Sequence, residues 1–152
     1  MLIRNIALFI HISGFVVWLG GMFFMLHCLR PAANQLEPAL RLPLLVGAMD
    51  SFFRYVAVSL GLIWASGLWM MLNVGFANSP KNWHLMLATG LVMTVIFLFI
   101  WLVKFPAMQK NVSAGVTEFA SAAKEMASIR LLVVVNMALG FLTVAIATIG
   151  KV

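Results

Sequence analysis

Three imidazoles, eleven thioethers and a single thiol are the groups in this chain best suited to hold a metal or a cofactor. His11 stands out because it lies inside an apolar run, Asn5 to Met25. About 20 such residues at 1.5 Å each cross the ~30 Å hydrocarbon core of a bilayer. An ionisable side chain at that depth is costly and marks a functional site by default. Helical geometry at ~100° per residue brings Gly14, Trp18, Gly21 and Met25 onto the face that carries His11. Glycines let something bulky approach the backbone closely. That occupant is either a neighbouring helix seated on small residues or a haem or metal held by the imidazole.

The remaining histidines differ in what they offer. His27 follows His11 by a distance of ~24 Å along a helix and on another side of it, so the two cannot share a ligand. It reads as an interfacial histidine. His84 opens the third apolar run. In an alternating bundle the first and third runs point the same way, which puts His11 and His84 near the same outer surface. Two imidazoles from facing helices are what a bis-histidine haem b requires, and four-helix bundles build cofactor sites this way. Gly14 and Gly21 would then admit the macrocycle, and Trp18 would pack against it. Copper is the alternative, since Met22, Met25, Met70, Met71, Met86 and Met93 supply thioethers and such soft ligands select Cu(I). These methionines form no MxxM array, and methionine is also an ordinary core filler. A third reading is a scaffolding bundle in which His11 hydrogen-bonds a stripe of Ser and Asn.

Several chemistries are excluded. Glu37, Asp50, Glu118 and Glu125 all fall in the connections, which argues against a carboxylate proton relay or a di-iron site. The lone Cys28 allows no internal disulfide and no CxxC site. There is no P-loop, GxSxG or HExxH.

The elements that must position these residues follow from composition. The chain is 64% hydrophobic and 9% charged, against roughly 45–50% and ~25% for a soluble domain. It is therefore an integral membrane protein whose partner is the lipid bilayer, expected to be one domain over residues 1–152. Spans are expected at about 5–29, 52–74, 83–103 and 130–149, an all-α up-down-up-down bundle of four transmembrane helices. The first run is too long for the apolar region of a cleaved signal. A short interfacial helix is expected around Glu37 to Arg41, within the connection 33–50, and a second from about 116 that leads into the fourth span. Ser59, Ser66 and Asn73 form one stripe, and Asn136, Gly140, Thr143 and Ala147 another, both expected to face protein. Trp83 and Trp101 bracket the third run as aromatic belts would. Arg4, Lys81 and Lys151 lie on one side and seven basic residues on the other, so the long connections are cytoplasmic and both termini periplasmic. The net charge of +6 is spread between spans and is no signal for nucleic acid.

The run from His11 through Trp18-Leu-Gly-Gly21 to Phe24, with Leu29-Arg30-Pro31-Ala32, Arg41-Leu-Pro-Leu, Phe52-Phe53, His84-Leu-Met and Ile129 to Gly140, resembles the CopD-like family of small bacterial membrane proteins. The resemblance implies the bacterial inner membrane, copper handling by the family's name, and a histidine-dependent site on the outer half of spans one and three. CopD proper is larger, so this chain corresponds to its four-span core. The similar HemJ-like proteins also begin with a histidine in span one but carry a lysine in span three, and Leu85 to Val103 contains none. The first expectation is a haem b-binding, cytochrome-like protein, with His11 and His84 as axial ligands. It would carry out electron transfer or an oxidoreductase reaction near the outer face with a quinone or a redox partner protein, and could be a homo-oligomer. The alternative is a copper-binding uptake or tolerance protein.

Overall fold

A computed structural model describes residues 1–113 and 119–149. Helix α1 is Leu2–Phe24, prolonged by a π turn, Met25–Leu29, and a last turn, Arg30–Ala33. Helix α2 is Pro38–Val74 and helix α3 is Lys81–Phe99, the latter prolonged by a π turn, Ile100–Lys104, and by Phe105–Ser113. Helix α4 is Phe119–Ile149. Each contains a stretch long and apolar enough to cross a membrane. In lipid every backbone polar group must be satisfied within the segment, which a continuous helix does. The chain is thus an all-α, multi-pass membrane protein. Helix α1 packs mainly against α2 and α3 against α4, with a lighter α1–α4 contact closing the bundle.

The connections follow local chemistry. Gly75 ends α2 with φ 88°, a conformation only glycine adopts readily. Ser79 Oγ donates to the Gly75 carbonyl at 3.1 Å, and Pro80 precedes the first turn of α3. Both π turns end two residues before a proline, Pro31 or Pro106. Proline lacks an N–H and its ring clashes with the carbonyl four residues back. Widening the turn, with Arg30 N–H bonding Met25 O and Phe105 N–H bonding Ile100 O, makes room for the ring and lets the helix continue.

Two expectations change. The segment from Pro38 is no separate interfacial helix but the start of α2, which passes Pro43 unbroken. At 37 residues α2 is ~55 Å long, more than a bilayer core needs. Asp50 and Arg54 pair on its surface, whereas Glu37 and Arg41 form no ion pair. The third span likewise continues past Lys104 as helix, and Lys104 Nζ lies 3.2 Å from Glu125 of α4. Residues 116–118 of the helix expected before the fourth span lie outside the described residues; from Phe119 that helix is α4 itself. Trp83 and Trp101, at the two ends of the third span, are both half-buried; Trp83 lines a void between the helices. Trp101 stacks on Phe97 at 5.6 Å, and Phe97 meets Trp18 and Phe53 edge-on at 6.1 and 5.9 Å.

The small, polar stripes do face protein. Ser59, Ser66, Asn136, Gly140 and Thr143 are buried; Asn73, at the end of α2, is exposed and bonds the Trp69 carbonyl.

Candidate functional site

A cavity of about 160 Å³ opens among the four helices, at the end that carries the α2–α3 turn. It lies between the last turns of α2 and the first of α3, where Trp64 Nε1 reaches across to donate to Thr94 Oγ1 at 3.1 Å. Helix α1 contributes His11 and Trp18, and α4 contributes Thr143. The wall is otherwise almost wholly apolar, with the thioethers of Met70, Met71, Met86 and Met93 among its groups.

His11 is held from one side. Its Nδ1 is 3.0 Å from the Ile63 carbonyl and 3.2 Å from Ser66 Oγ. A carbonyl only accepts, so Nδ1 carries the proton. The Ser66 hydroxyl spends its own proton on the Leu62 carbonyl at 2.6 Å and is left to accept from Nδ1. This tautomer leaves Nε2 as the lone-pair nitrogen of a ring that lines the cavity, with no hydrogen-bond partner among the described residues. A histidine whose other nitrogen donates to a backbone carbonyl is arranged as metal-ligating histidines usually are. Gly67 seats the ring: a Cβ there would stand 2.9 Å from His11 Cε1 and 3.2 Å from Nδ1.

The residues expected to join His11 fall into two groups. Trp18 is buried and lines the cavity. Gly14 and Gly21 do not open onto it. A Cβ on Gly14 would meet Ile63 Cγ1 at 3.0 Å and the Ser59 carbonyl at 3.1 Å, and one on Gly21 would overlap the Phe52 ring. The space beside both glycines holds side chains of α2, the helix–helix use of small residues. His84 does not line the cavity either; its ring packs edge-on against Phe76, with centroids 4.8 Å apart. His27 is exposed beside Phe23 at the opposite end of α1.

The four methionines are what spacing did not reveal. They come from α2 and α3 and meet only because those helices flank the same void. Met93 is fully buried, with its Sδ 3.9 Å from Thr143 Oγ1. Among the described residues no cluster of three or more His, Cys, Asp or Glu exists. The donor set at the cavity is therefore one neutral imidazole and several thioethers. That set suits a soft, singly charged ion such as Cu(I) and is poor for Zn(II) or Mg(II), which ask for thiolates, several imidazoles or oxygens.

The family model for CopD, copper resistance protein D, matches residues 46–149, more than half of the chain. The match covers most of α2 and runs through α4; α1, with His11, lies ahead of it. No curated protein and no solved structure matches the chain.

Proposed function

The chain belongs to the CopD family, and we propose that its cargo is Cu(I), bound transiently in the cavity as a step in copper uptake or tolerance. His11 Nε2 supplies the anchoring bond, and thioethers among Met70, Met71, Met86 and Met93 complete the coordination. The observation that carries this reading is the contact of His11 Nδ1 with the Ile63 carbonyl, which leaves Nε2 as the available nitrogen of a ring bordering a wall rich in methionine. The seven-to-three bias of basic residues supports a bacterial inner-membrane location with the termini, and hence this end of the bundle, on the periplasmic side. Haem b has less support, because of the two histidines expected as its axial pair His11 lines the cavity while His84 packs against Phe76.

The test is an anaerobic titration of the detergent-purified protein with Cu(I) in competition with a chromogenic Cu(I) chelator. One tightly held ion per chain is expected, with affinity falling at least tenfold in His11→Ala. An absorption spectrum of the same sample as isolated and after reduction separates the readings. A Soret band with sharp α and β bands, lost in His11→Ala, would replace copper with haem. Absence of both metal and haem would leave the scaffold reading, in which the His11–Ser66 contact is purely structural.

A further inference from the structure

At the other end of the bundle lie three arginines, Arg30, Arg41 and Arg130, with no ion-pair partner among the described residues. Arg30 closes α1, and Arg41 of α2 and Arg130 of α4 act on it electrostatically. Of the described acids, Asp50 pairs with Arg54 and Glu125 with Lys104, and Glu37 forms no ion pair among the described residues. Like charges brought together repel, so a cluster of this kind is stabilised by an anion from outside. Arg30 and Arg130 also line a second cavity, of about 60 Å³, whose other walls are apolar and include Met49 and Phe53. Both arginines stand where an apolar run meets a polar connection, the depth of lipid headgroups.

We propose that this end of the bundle binds one anionic phospholipid, its phosphate held by Arg30 and Arg130 and the start of an acyl chain laid in the groove between Met49 and Phe53. A free phosphate would satisfy the arginines but leave the groove unused. The paired geometry of charge and apolar wall is that of an amphiphile, and basic pockets between transmembrane helices favour such headgroups. The site is independent of copper, since its residues are separate from those around His11.

The experiment is native mass spectrometry of the delipidated full chain titrated with phosphatidylglycerol, with phosphatidylcholine, and with soluble glycerol phosphate. One phosphatidylglycerol adduct is expected at concentrations where phosphatidylcholine binds little. Arg130→Gln, at an exposed position, should weaken it about fivefold, and Arg30→Gln with Arg130→Gln about 25-fold. Arg54→Gln, which removes a charge already paired, should change nothing. Met49→Trp, filling the groove with all arginines intact, should also lower affinity. Equal binding of the two lipids, or an Arg54→Gln loss matching that of Arg130→Gln, would reduce the effect to general surface charge and overturn the proposal. Glycerol phosphate competing as well as the lipid would show an anion site with no lipid specificity and overturn it equally.

Discussion

Gly67 is the residue on which the aim of the imidazole depends. Adding a Cβ would push against His11 Cε1 without removing any of the proposed donor groups. Gly67→Ala should therefore tilt the ring off its Ile63 carbonyl and weaken Cu(I) binding about tenfold, in the range for residues that orient a metal-ligating histidine. The competition titration reads this directly, and an unchanged affinity would mean that Nε2 is not a ligand. His11 itself was legible in the sequence, because an ionisable group in an apolar run is conspicuous. Its pairing with His84 was a matter of depth alone. Depth does not fix direction around the helix, and α3 is so evenly apolar after its first turn that its sequence cannot say which side faces inward. Met70, Met71, Met86 and Met93 were named as thioether donors from sequence, but their meeting at one cavity was not legible, since they converge through packing and not through spacing.

At the scale of elements, the α1–α2 pair rests on glycines that admit neighbouring side chains. Gly21→Ala would force Phe52 to move, and overpacking of that kind costs about 1–3 kcal/mol. A lower midpoint in thermal unfolding of the detergent-solubilised protein is expected, with Cu(I) stoichiometry retained. Gly20→Ala, whose Cβ would meet nothing, is the control and should leave the midpoint in place. Helix existence was readable from apolar runs, yet helix length was not. Pro43 and Pro106 each look like breakers in sequence, but Pro43 sits within α2 and Pro106 follows a π turn that accommodates its ring. Both long connections consequently read as more irregular than they are.

For the molecule as a whole, the alternating bundle was legible because lipid permits few alternatives to continuous helices. Orientation rests on basic residues alone, so it is tested separately. A C-terminal alkaline phosphatase fusion should be active and a C-terminal green fluorescent protein fusion dark, whereas fusions within the 105–118 connection should show the reverse. Among the described residues no carboxylate lines the His11 cavity, and this has an electrical meaning. A monovalent ion seated beside a neutral imidazole and neutral thioethers keeps its full charge, and no proton need move to compensate it. Inward transit of that ion would then be driven by the membrane potential, by up to ~2.3 kcal/mol per 100 mV. In proteoliposomes, copper entry from the His11 end should rise with an imposed inside-negative potassium diffusion potential and ignore a pH gradient of equal driving force. The bundle would act as a voltage-driven conduit whose battery is the cell's own resting potential.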